Sequence, residues 1–146
     1  MKNKRFFVLI LVLGFVSSTV FAQTLTDASA RRRLSNVGIT VNASAPQTSL
    51  EGIREATLLE IVWLSSRVNA RNIVITGGTE STGGHNSGTY SHGNGYKVDL
   101  RFNSTLDSYI ENNFTRDGSV DGYPAYRSPN GGLYVKERDH WDVLVR

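Results

Sequence analysis

No cysteine occurs anywhere in the 146 residues. An exported chain of this size is then held together by its core or by a metal, and not by disulfides. A lipid anchor on a mature N-terminal cysteine is excluded as well. A surplus of charge is also missing. The whole chain carries 16 Lys and Arg against 13 Asp and Glu, but Lys2, Lys4 and Arg5 lie in an N-terminal segment that reads as a leader. Without them the two signs are equal in number. Bulk charge therefore makes no case for nucleic acid, and Arg31-Arg32-Arg33, the one basic run, reads as a solvated helix face. No internal repeat, low-complexity tract or interdomain linker is present. The length suits one domain.

The one long apolar run lies at the start. A basic head is followed by residues 6–16, apolar throughout except for Gly14, and then by Val20-Phe21-Ala22. That is the pattern of a secretory signal peptide over residues 1–22, cleaved after Ala22. The competing reading is an uncleaved membrane anchor, but the run is shorter than the ~20 residues that span a bilayer. Residues 23–146 are then a single domain, exported to the periplasm or the medium. The expected product is a monomer with no membrane attachment after cleavage and no nucleic-acid partner.

Within that domain, Thr26 or Asp27 caps a first helix through about Leu34, closed by Gly38. Ile39-Thr40-Val41 reads as an edge strand. Thr48 and Glu51 have capping-box spacing, and Leu50, Ile53, Thr57, Ile61, Leu64 and Val68 recur at steps of three and four. Together they predict a main helix from Thr48 to about Asn69, with Leu58 and Trp63 widening its core face. Ile73-Val74-Ile75-Thr76 reads as a strand buried on both faces. Residues 77–88 form a loop rich in Gly, Ser and Thr, either a flexible spacer or a frame for a site at the strand's end.

Asn94-Gly95 is a turn signal. Tyr96 to Arg101 follows as a strand, with Tyr96, Val98 and Leu100 on the core face and Lys97, Asp99 and Arg101 on the other. Ser104 and Asp107 predict a further helix burying Leu106, Ile110 and Phe114. Asp117-Gly118 and Asp121-Gly122 read as turns. Tyr126-Arg127 and Leu133-Tyr134-Val135 read as strands joined through Pro129-Asn130-Gly131-Gly132, and the chain ends in an alternating stretch from Trp141. Helices first and hairpins later imply an α+β fold, with helices on one face of a mainly antiparallel sheet.

All three histidines fall in two stretches, residues 77–99 and 137–142. Two histidines and one carboxylate suit a catalytic zinc, which keeps a position open for water. His92 and Asp99 flank a glycine turn and can face one point, and His140 arrives from far along the chain. If Arg138-Asp139 is a two-residue hairpin loop, Glu137 and His140 are directly opposed, with Cβ atoms roughly 5 Å apart. Glu137 is then placed to act as general base on a water at the metal. Other groupings stay open at this level. His85 can replace Asp99, and Asp142 is either a ligand or a partner that orients an imidazole.

Ser91-His92-Gly93-Asn94-Gly95-Tyr96-Lys97-Val98-Asp99-Leu100 resembles the zinc-binding segment of the D-alanyl-D-alanine carboxypeptidases and dipeptidases. That family shares its fold with the Hedgehog signalling domain. Ser91, His92, Gly95 and Asp99 match four of its places. Glu137, His140 and Trp141 match its second segment of Glu, two residues, His and an aromatic. The resemblance runs from about Ile73 to the C-terminus. It implies His92, Asp99 and His140 as zinc ligands, Glu137 as catalytic base, and hydrolysis of an amide bond in a peptidoglycan stem peptide. Ser91, Arg101, Trp141 and Tyr90 are then candidates to line the substrate site. One departure stands out. The family carries an oxyanion-stabilising arginine after the strand that precedes the zinc loop, and here Glu80 occupies that place. Arg101 and Arg127 are the candidate replacements. A zinc-containing module that binds cell-wall peptide without turnover is the alternative function.

Overall fold

The computed structural model describes residues 23–43, 48–80 and 88–146. The leader, the loop around Pro46 and the His85 segment lie outside the described residues. The fold is α+β, with three α-helices and a seven-stranded mixed sheet. In chain order the elements are β1 (Thr24–Leu25), α1 (Asp27–Asn36), β2 (Thr40–Val41), β3 (Ile53–Arg54), α2 (Glu55–Ser65), a 3₁₀ turn (Ala70–Asn72), β4 (Val74–Gly77), β5 (Lys97–Arg101), α3 (Ser104–Asn113), β6 (Thr115–Val120), β7 (Tyr123–Arg127), β8 (Leu133–Lys136) and β9 (His140–Leu144). The sheet order is β2-β4-β5-β9-β8-β7-β6. Among the described residues only the β2–β4 pair, at one edge of the sheet, is parallel. A separate pair, β1 and β3, is antiparallel.

Alternation along the central strands decides the layers. Val98 and Leu100 on β5, Trp141 and Val143 on β9 and Tyr134 on β8 share one face and are fully buried. The helices cover that face. Trp141 Nε1 donates to Asp107 Oδ1 on α3 at 2.8 Å, and Tyr134 Oη donates to Glu60 Oε1 on α2 at 2.9 Å. Phe114 packs between Trp63, stacked at 6.1 Å between centroids, and Tyr134, edge to face at 4.9 Å. The opposite face carries Lys97, Asp99, Arg101, His140 and Asp142.

The helix expected from Thr48 starts seven residues later. Gly52 has φ +77°, which no helix accommodates, and Ile53 is paired with Leu25 as strand. The capping-box pair does other work. Thr48 Oγ1 donates to the Thr76 carbonyl, and Glu51 Oε2 accepts from the Asp27 N–H. The buried set is nevertheless the expected one, since Leu50, Ile53, Thr57, Ile61, Leu64 and Val68 are all in the core. Leu50 and Ile53 reach it from extended chain.

Smaller differences follow the same pattern. Asn103, not Ser104, caps α3, its Oδ1 accepting from the Leu106 N–H at 3.0 Å. Ile75 in β4 and Ile73 just before it are buried while Val74 and Thr76 are half-buried, so one face of that strand is core and not two. The Asp117-Gly118 pair is not a turn but part of β6, a wholly exposed edge strand. Asp121-Gly122, both at positive φ, make the tight turn to β7.

Candidate metal centre

His92, Asp99, Glu137, His140 and Asp142 come together at the open face of the sheet. Each is placed by a different device. Asp99 is the middle residue of β5, directly opposite Asp142 on β9 and beside Gly77 on β4. A Cβ on Gly77 would lie 2.0 Å from Asp99 Oδ2, so only glycine leaves the carboxylate its space there.

His92 sits on the turn before β5. Gly95, at φ +75°, closes that turn, and its N–H donates to the His92 carbonyl. The buried Thr57 hydroxyl of α2 and the Arg54 N–H both donate to the Gly95 carbonyl, tying the turn to the core. His92 is buried, with Nδ1 2.8 Å from the Gly78 carbonyl oxygen. A carbonyl only accepts, so Nδ1 carries the proton and Nε2 presents its lone pair. That nitrogen lies 3.3 Å from Asp99 Oδ1 and 3.8 Å from Asp142 Oδ1.

His140 opens β9. The Glu137 N–H donates to the His140 carbonyl at 3.0 Å, closing a hairpin over Arg138-Asp139 and meeting the condition on which the pairing of Glu137 with His140 rested. Asp139 Oδ1 takes the His140 Nδ1 at 2.8 Å, which turns Nε2 toward Asp99 Oδ1 at 3.4 Å and Glu137 Oε2 at 3.5 Å. A histidine whose second nitrogen is held by a carboxylate or a carbonyl is the usual arrangement of a metal-ligating imidazole.

Burial alone would lower the pKa of His92, but Asp99, the charge of Asp142 and the Gly78 carbonyl outweigh it and raise it above its ordinary value. For His140, burial is likewise outweighed, here by the bond to Asp139 and the charges of Asp99, Glu137 and Asp139. Both imidazoles thus sit in a field that rewards a cation, whether a proton or a metal. The donor set suits a divalent cation. Among the described residues, the group of three metal-ligating side chains whose ligand atoms all lie within 4.8 Å of one another is His92, Asp99 and Asp142. His140 lies outside that group and touches it through Asp99 Oδ1, 3.4 Å from its Nε2.

The other candidates have different surroundings. Trp141 is not at the site. It follows His140 in a strand, so it points to the helix face, where it is fully buried. Ser91 is buried, and its hydroxyl makes no hydrogen bond among the described residues. Tyr90 is 45% exposed, with Tyr96 and Arg146 against its ring. Glu80 is spent on the backbone, its two oxygens accepting from the Ser49 and Gly78 N–H groups at 2.7 Å each. Arg127 is held by Asp117 and the Gly131 carbonyl on β7. Arg101 is exposed and stands opposite His140 across β5 and β9.

Three contributors escape a reading by motif: Thr57, Gly77 and Lys97. Lys97 shares the open face with Asp99, and its Nζ lies 2.5 Å from Asp142 Oδ2. Comparison with family models, with curated proteins and with solved structures finds no match to this chain. Among the described residues no helix is long and apolar enough to cross a membrane.

Proposed function

We propose that the protein is an exported zinc peptidase that cleaves an amide bond in peptidoglycan stem peptides, on a fold of the Hedgehog and D,D-peptidase type. One observation carries this reading. Asp99 Oδ1 lies 3.3 Å from His92 Nε2 and 3.4 Å from His140 Nε2. Ligand atoms about 2.1 Å from a tetrahedral zinc stand about 3.4 Å apart, so each imidazole stands at a ligand's distance from Asp99, while His140 lies outside the tightest group of His92, Asp99 and Asp142 and would close on the ion as it binds. His92, Asp99 and His140 would hold it. When bound, zinc supplies Lewis acidity to the scissile carbonyl and to the attacking water.

The chain's own groups do the rest. Glu137 Oε2, 3.5 Å from His140 Nε2, accepts the proton of the attacking water and returns it to the leaving amine. Gly78 and Asp139 fix the imidazole tautomers. Arg101, exposed and opposite His140, would be the cation for the substrate's developing negative charge, since Arg127 is held by Asp117 and the Gly131 carbonyl.

Glu137→Gln tests the assignment. Metal content stays at wild-type level while hydrolysis of purified muropeptides, followed by mass spectrometry, falls about 100-fold or more. Hydrolysis that persists in the variant sinks the general-base role. The commitment of Glu80 to two backbone N–H groups favours a second reading, a zinc module that binds cell-wall peptide without turnover. Wild-type protein that binds sacculi and releases no product would support it.

A further inference from the structure

The open face holds one more carboxylate than the three-ligand reading uses. Asp99 and Asp142 are direct cross-strand partners, on the same face of β5 and β9. Like charges placed opposite one another in a sheet repel, so something positive must lie between them. Asp142 is also almost buried, with a side chain 9% exposed. Lys97 satisfies only one of its oxygens, Oδ2 at 2.5 Å. The other, Oδ1, accepts no hydrogen bond among the described residues and faces His92 Nε2 at 3.8 Å. A buried carboxylate oxygen without a partner is expensive. Its ligand atom lies within 4.8 Å of those of both His92 and Asp99.

Resting on the metal-site reading above, we infer that Asp142 is itself a ligand of the cation held by His92 and Asp99, and that Lys97 is its counter-charge. With each ligand about 2.1 Å from the ion, 3.8 Å is a little wider than a tetrahedral edge of about 3.4 Å and closes with a small shift of one side chain. The charges explain why a lysine accompanies the extra acid. Two neutral imidazoles and one carboxylate leave a divalent cation with one net positive charge. A second carboxylate cancels it, and the ammonium of Lys97 restores it. The donor set becomes two imidazoles and two carboxylates, harder than the sequence motif alone implies.

Two variants of the purified, chelator-stripped protein test this, titrated with Zn²⁺ and with Co²⁺ as a spectroscopic probe. Asp142→Asn keeps the side chain's size. It lowers Zn²⁺ affinity about 100-fold, the upper end of what even an orienting residue contributes, and changes the visible spectrum of the Co²⁺ form. Lys97→Met breaks the same ion pair but removes a competing cation, so it raises affinity about tenfold. Opposite signs in the two variants support the assignment. If both variants lower affinity by similar factors, the pair is only structural and the inference fails. It fails equally if Asp142→Asn leaves the Co²⁺ spectrum unchanged, or if wild type takes up no metal. Should Asp142→Asn not fold, the sign of the Lys97→Met change decides alone. Muropeptide turnover is scored separately, so absent turnover with these metal results overturns the peptidase reading and not this one.

Discussion

Gly77→Ala separates a role in the site from a role in the fold. In an extended strand at ordinary φ, replacing glycine by alanine stabilises by about 0.4–1 kcal/mol, because the unfolded chain loses freedom. Gly77 is not at positive φ, so that gain is available. The structure reverses the sign. The new methyl would stand 2.0 Å from Asp99 Oδ2, 2.8 Å from its Cγ and 3.1 Å from its Cβ. Either the carboxylate rotates away from His92 and His140, or β4 and β5 part locally. Overpacking of this kind costs about 1–3 kcal/mol, which leaves the metal-free variant net destabilised in urea. Displacing a ligand also weakens Zn²⁺ binding by about 100-fold. A double-mutant cycle with Asp99→Ala isolates the clash. Without the carboxylate, Gly77→Ala becomes close to neutral for stability, because the 2.0 and 2.8 Å contacts go and the 3.1 Å contact with Cβ is the closest of the three that is left. Equal destabilisation in both backgrounds would refute the reasoning, as would Gly77→Ala protein with wild-type metal affinity.

Two further outcomes follow from the same site. Both imidazoles have folded-state pKa values above the unfolded value of about 6.5. Their contribution to metal-free stability is full below that pH and is lost as pH rises through the raised values. The melting temperature of chelated protein should therefore fall between pH 6 and pH 8, while zinc-loaded protein gains over that range because protons no longer compete for the nitrogens; a chelated protein more stable at pH 8 contradicts it. Thr57→Val removes a buried 2.8 Å hydrogen bond to the Gly95 carbonyl. The expected cost is about 1 kcal/mol of stability, with faster amide exchange across residues 92–96, and unchanged exchange there would show that the turn holds itself.

Alternation in residues 97–101 and the helical spacing of Leu106, Ile110 and Phe114 are local patterns. They place the same residues in the core that the structure buries there. The hairpin at Arg138-Asp139 is allowed by the spacing of Glu137 and His140 but not signalled by its turn residues, and it forms in the structure. The start of α2 does not follow from spacing, because the periodicity of Leu50 and Ile53 with the residues after them is shared by a helix and by a bent chain delivering both to one core. Gly52 decides between them. β6 escapes for the opposite reason: all six of its residues are exposed, so it carries no hydrophobic period. Its pairing with β7 comes from the Asp121-Gly122 turn and the neighbouring strand.

The sequence alone determined which side chains share a face, since the two-residue period of a strand is a property of the backbone. It thereby put Asp99 and Lys97 together, and His140 with Asp142. Only the tertiary structure decided that these two faces are one. β5 and β9, some forty residues apart, pair in the register that sets Asp99 against Asp142 and Arg101 against His140. A shift of β9 by one residue would send His140 and Asp142 to the helix side. Register is fixed by burying Val98, Leu100, Trp141 and Val143 together, a collective property of the core that no single stretch of chain encodes.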